Sequence, residues 1–131
     1  MQLAVKYLMK LNSKEIIINK IPTSIEGVDE SELGPLLGSA HVYKSQGGLK
    51  GKIKIRKGLP KRVKKFIEEH EIYHIKNWGR EENWLAGELK ANFFASIKEP
   101  LGLLQTTIIT LLDSERRSYY IKKLFKPQNN S

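Results

Sequence analysis

Residues 51–79 read GKIKIRKGLPKRVKKFIEEHEIYHIKNWG, and the order of events along this stretch decides the fold. It opens with alternation: Ile53 and Ile55 point one way while Lys52, Lys54 and Arg56 point the other, as in a strand with a core face and a cationic face. Gly58-Leu59-Pro60 interrupts the strand, and a proline suits the first turn of a helix, where its missing N–H has no partner to lose. The spacing predicts a helix to about Asn77 that stops near Gly79.

Working outward, Ala40 to Lys44 pairs naturally with Leu49 to Lys57 as a hairpin, because glycines in Ser45-Gln46-Gly47-Gly48 supply the positive φ of a tight turn. Before it, Met1 to Leu11 has helical spacing of Leu3, Tyr7, Leu8 and Leu11, and Lys14 to Ile21 carries a β-branched run that predicts a strand. Pro22 to Ser39, rich in Gly, Pro, Ser and acids, reads as irregular. Downstream, helices are expected from about Glu81 to Ile97, from Leu101 to Leu112 and from Ser114 to Phe125, followed by a frayed tail at 126–131. No internal repeat is evident. The expectation is one α+β domain over residues 1–131, with a small, largely antiparallel sheet packed on helices and its core at 40–97.

The chain has no cysteine, which excludes disulfides, thiolate metal sites and a cysteine nucleophile, and suits a reducing interior. The first residues lack a secretory pattern and no apolar run is long enough to span a bilayer, so a cytoplasmic protein is expected. The net charge of +9 is concentrated in Lys50 to Lys65, which holds nine cations and no acid. Such a block is either a solvated face or a patch for an anionic partner, nucleic acid or an acidic protein segment; Lys50, Lys52, Lys54, Arg56 and Lys57 are its candidates.

His70-Glu71-Ile72-Tyr73-His74 is the pattern HExxH. Residues four apart stack on one helix face, so His70 and His74 can offer two imidazole nitrogens to one ion. Glu71 lies about 100° round the helix from His70, beside the ion, where it can hold and deprotonate a water. Val63, Phe66 and Ile67 share the histidine stripe, which directs the imidazoles inward.

A catalytic zinc takes three protein ligands and keeps one open position. Glu88 is the expected third ligand, on a stripe with Trp84, Leu85, Ala91, Asn92 and Ala95; Glu81, on the same stripe, is the substitute. Ala91 and Ala95 are small enough for close helix approach, and Asn92 is placed to orient a ligand.

Gly51 to Ile55, Leu59-Pro60, Arg62 to Phe66, His70 to His74 and Glu88-Leu89-Lys90-Ala91-Asn92-Phe93-Phe94-Ala95 together resemble the catalytic core of the ImmA/IrrE-type metallopeptidases, over about residues 50–97. The resemblance implies a gluzincin-like fold, one Zn²⁺ held by His70, His74 and Glu88, Glu71 as general base, and proteolysis of a partner such as a DNA-associated regulator. Tyr73 stands where that family usually has a small residue, so its ring should crowd the site or enter the cleft.

The expected reaction is therefore peptide-bond hydrolysis by a zinc peptidase. An oxyanion donor is also required, with Tyr73, His41, Tyr119 and Tyr120 as candidates and packing or exposure the expected role of the last two. A peptide substrate could add to the edge of the Leu49–Lys57 strand, whose outward lysines would favour acidic sequences. Two alternatives are a basic nucleic-acid-binding protein with a structural or degenerate metal site, and a regulatory protein that kept the fold without the chemistry.

Overall fold

Isoleucines at 16, 17 and 18 followed by Asn19-Lys20 set up the first hairpin of the computed structural model, which describes residues 13–80 and 83–125. Strand β1 (Ser13–Ile18) ends at these two residues, both with positive φ, and β2 (Ile21–Val28) returns antiparallel to it. The strand expected over Lys14–Ile21 is thus two strands and a turn, since Asn tolerates the left-handed region that the reversal needs. Residues 22–39 are likewise not irregular. They contain most of β2, a one-turn helix α1 (Glu30–Leu33) and the start of β3 (Gly38–Ser45). Polar residues and Pro22 hide the β2 signal, yet Thr23, Ile25 and Val28 are buried.

Strands β3 and β4 (Gly48–Arg56) form the expected antiparallel hairpin, Ser45 opposite Gly48, with Gly48 at φ 114°. The sheet order is β1-β2-β4-β3; only the β2–β4 pair is parallel, with Ile25 beside Ile53. The protein is α+β with a mostly antiparallel mixed sheet on one side of its helices. Strand β4 is interior, paired on both sides, so it offers no edge for a substrate; β3 is the edge strand on the hairpin side.

Helix α2 (Lys61–Lys76) follows Pro60, whose carbonyl accepts the Lys64 N–H at 2.9 Å. Val63, Phe66, Ile67 and Ile75 press onto the sheet residues Ile53 and Ile55, and the cluster draws in Ile18, Ile25 and Leu37. Helix α3 (Trp84–Lys98) starts where the Asn83 side chain accepts the Ala86 N–H, and its Ala91 and Ala95 are fully buried, as close packing on α2 requires. Helix α4 (Pro100–Leu112) has Pro100 at its first turn and crosses α2 at Gly102, where a Cβ would lie 2.5 Å from the Arg62 carbonyl oxygen. Helix α5 (Ser114–Phe125) is capped by Asp113, whose Oδ1 accepts the Arg116 N–H at 2.9 Å. The outer faces of α3 and α4 expose Leu89, Phe93, Ile97, Leu104 and Ile108.

No helix among the described residues is long and apolar enough to cross a membrane. The expected helix at Met1–Leu11, the tail at 126–131 and Glu81 lie outside the described residues.

Candidate metal centre

Helix α2 carries His70 and His74 one turn apart, and α3, drawn close by its alanines, brings Glu88 against both. Glu88 Oε2 lies 3.0 Å from His70 Nε2, Glu88 Oε1 lies 3.0 Å from His74 Nε2, and the two Nε2 atoms are 3.1 Å apart. Two ligands at about 2.1 Å from a tetrahedral zinc are separated by about 3.4 Å, so this donor set fits the ion with small adjustments. These are the residues whose ligand atoms converge in a group of three among the described residues.

Asn92 Oδ1 lies 2.7 Å from His70 Nδ1. It accepts the Nδ1 proton and so leaves Nε2 bare toward the shared point, which is the orienting role expected of Asn92. Burial acts to raise the pKa of Glu88, but hydrogen bonds from His70 and His74, and their charge, outweigh it and hold the carboxylate at about 2. His70 moves above its ordinary value: burial opposes the charged ring, and Glu88, Glu71 and Asn92 together prevail.

Glu71 is buried, and burial pushes its carboxyl up despite the neighbouring imidazoles. Its position depends on Gly38. A Cβ at residue 38 would stand 2.5 Å from Ile67 Cγ2 and 3.3 Å from Glu71 Cγ, so the missing side chain lets β3 lie against the face of α2 that carries Glu71. The edge strand and the metal site are thereby adjacent.

A cavity of about 620 Å³ opens on His70, Glu71, His74 and Glu88. Gly38, Ser39 and Ala40 of β3 line it, as do Thr106 of α4 and Tyr119 and Tyr120 of α5. Among the described residues its lining includes no Lys or Arg, in a chain with 23 of them. The hydroxyl of Thr106 is buried there without a hydrogen-bond partner.

Among the expected oxyanion donors the structure sorts clearly. Tyr73 neither crowds the site nor enters the cleft: its ring stacks on Phe94 at 5.1 Å, because residue 73 faces the α2–α3 seam. His41 is exposed on β3; residues 38, 40 and 42 face the helices, so its alternation turns it to the other side of the sheet. Tyr119 and Tyr120 line the cavity, with their rings packed edge-on against each other. Burial pushes the Tyr120 phenol up to about 12, with help from the negative charges of Glu88 and Glu71.

The cationic patch is largely compensated within the fold. Lys52 pairs with Glu26 at 3.3 Å, Lys54 with Glu32 at 3.3 Å and Arg56 with Glu30 at 3.7 Å, and Arg56 also donates to the Gly34 carbonyl. The acids come from β2 and α1, in the stretch read from sequence as a loop, which is why the strand looked uncompensated. Lys50 and Lys57 stay exposed at the two ends of β4.

The fold and site define an α+β domain carrying a candidate His-His-Glu metal centre on two packed helices. Compared with protein-family models, curated proteins and solved structures, the chain matches none.

Proposed function

We propose that this chain is a zinc-dependent peptidase of the HExxH type, gluzincin-like in its ligand set. The observation that carries the reading is the convergence of His70, His74 and Glu88 within about 3 Å of one another in the lining of a cavity, with a buried carboxylate beside them. The resemblance of residues 50–97 to the ImmA/IrrE-type metallopeptidases supports the same conclusion. A cysteine-free chain is suited to the cytoplasm, where we place the enzyme.

His70, His74 and Glu88 hold the ion, and Asn92 keeps His70 in the tautomer that can bind it. When bound, zinc supplies a Lewis acid and lowers the pKa of a water toward neutrality. Glu71 accepts the proton of the attacking water and passes it to the leaving amine as the C–N bond breaks. The substrate backbone lies along the free edge of β3, which borders the cavity through Gly38, Ser39 and Ala40. Because no Lys or Arg among the described residues lines that cavity, the side chains flanking the scissile bond are apolar, not acidic. A DNA-associated regulatory protein presenting such a segment is a fitting substrate. Direct nucleic-acid binding draws less support, since three of the five patch residues are paired with glutamates.

The test is hydrolysis of a pool of quenched fluorescent peptides carrying Leu or Phe, Asp, or Lys around one central bond. Zinc-loaded protein should cut the apolar set; chelation should abolish cutting and added zinc restore it. Glu71→Gln should keep the ion and lose activity. Chelator-resistant cutting, or full activity in Glu71→Gln, contradicts the proposal.

A further inference from the structure

Hydrolysis of an amide puts negative charge on the carbonyl oxygen, and a donor aimed at it contributes a large share of the rate. Resting on the peptidase reading, we infer that Tyr120 is this donor: carried by α5 and lining the same cavity as Glu71, it hydrogen-bonds the scissile carbonyl oxygen through its hydroxyl as that oxygen becomes an oxyanion. Thr106 also lines the cavity with an unpartnered hydroxyl, whereas the other neighbouring groups are committed or turned away. Asn92 is bonded to His70, Thr107 to the Leu103 carbonyl, Tyr73 is stacked on Phe94, and His41 is on the far face of the sheet.

Tyr120 is held where a donor is needed. Its ring packs against Trp84 at 6.4 Å and edge-on against Tyr119 at 5.3 Å. The helix that carries it is anchored by buried Arg116, which donates to the Pro35 carbonyl at 2.8 Å and to the Ile109 carbonyl at 3.4 Å. Arg116 thus ties α5 to the segment leading into β3, so the donor and the strand that would hold the substrate are positioned by one side chain. Tyr119 shares the cavity, and the Lys123 ammonium sits 6.0 Å from its ring and 5.8 Å from that of Trp84. With its phenol pushed up to about 12, Tyr120 keeps its proton through the neutral range.

The step balances without proton transfer from tyrosine. Water oxygen bonds the carbonyl carbon, Glu71 takes the water proton, and that proton leaves with the amine. Tyr120 lends a hydrogen bond to the carbonyl oxygen until the double bond re-forms.

The experiment compares zinc-loaded wild type, Tyr120→Phe and Tyr119→Phe for peptide hydrolysis, for binding of a phosphinic peptide that mimics the tetrahedral carbon, and for binding of the product peptide. For Tyr120→Phe, kcat should fall about 10²–10³-fold with KM within about twofold. Phosphinic peptide affinity should fall by a similar factor while product affinity and zinc content stay constant. Tyr119→Phe should behave as wild type. A Tyr120→Phe enzyme with unchanged kcat and phosphinic peptide affinity overturns the assignment and leaves the peptidase reading intact. A Tyr120→Phe protein that loses zinc or melts early assigns the residue to packing, and also overturns it. A zinc-loaded wild type that cuts no peptide and does not bind the phosphinic peptide removes the peptidase reading and this assignment together.

Discussion

Replacing Gly38 with alanine probes the contact that sets the edge strand beside Glu71, the proposed base. The new methyl would meet Ile67 Cγ2 at 2.5 Å, the Lys54 carbonyl oxygen at 3.2 Å and Glu71 Cγ at 3.3 Å. Carbon atoms rest about 3.5–4.0 Å apart, so strand or helix must yield by about 1 Å. Ile67 is β-branched, helical and buried, with essentially one rotamer open to it, so the strain passes to the backbone and to Glu71. Overpacking of this kind costs about 1–3 kcal/mol. At about 3–5 °C per kcal/mol for a domain of this size, the melting temperature should drop by about 3–15 °C. A 1 Å displacement of a catalytic group costs on the order of 10²-fold in rate, so peptide hydrolysis should fall further than stability alone implies. Circular-dichroism melting of the zinc-loaded variant, together with its kcat/KM, reads both effects. Gly47→Ala is the control: nothing lies within 4 Å of its new methyl, and its melting temperature should stay within about 2 °C of wild type. A Gly38→Ala protein that melts and cuts like wild type would refute the contact and the strand–base coupling drawn from it.

Asn92→Ala removes the acceptor for the His70 Nδ1 proton, and zinc affinity, measured by competition with a chromophoric chelator, should weaken about 10–100-fold while the fold is kept. The metal-free protein should be more stable near pH 5 than near pH 8. Glu88, held at about 2, stabilises above its ordinary 4.5 and loses that contribution as pH falls toward 2. Glu71 and His70, both raised, contribute below their ordinary values of 4.5 and 6.5, and that contribution fades as pH rises through the raised ones. Saturating zinc should reverse the slope, because protons compete with the ion for the same atoms; melting curves at both pH values with and without zinc decide it.

The site was more legible than the sheet around it. HExxH and the stripe through Glu88, Ala91, Asn92 and Ala95 specify their own geometry through helical spacing, and the three ligand atoms converge as that spacing requires. Strand β2 was missed because Pro22, Ser24, Glu26 and Gly27 mask an alternation visible only at Thr23 and Ile25, and its parallel pairing with β4 is set by partners distant in sequence. The same gap misled the charge reading: Glu26, Glu30 and Glu32 neutralise β4 only once β2 and α1 are folded beside it. Helices α4 and α5 were located, but not their part in the cavity. Apolar residues occur all round α4, so no stripe marks the face that turns inward, and the paired tyrosines of α5 look like packing until the fold brings them into the lining of the same cavity. The run Gly38-Ser39-Ala40 was the available signal for a close approach.

The central claim is that two imidazoles and a carboxylate from adjacent helices hold one ion. Its most direct test is the metal content of protein purified without chelator, by plasma mass spectrometry, for wild type and His74→Ala. The account predicts close to one zinc per wild-type chain and a large loss in the variant. A wild-type protein that carries little zinc and takes up none when zinc is added would contradict it.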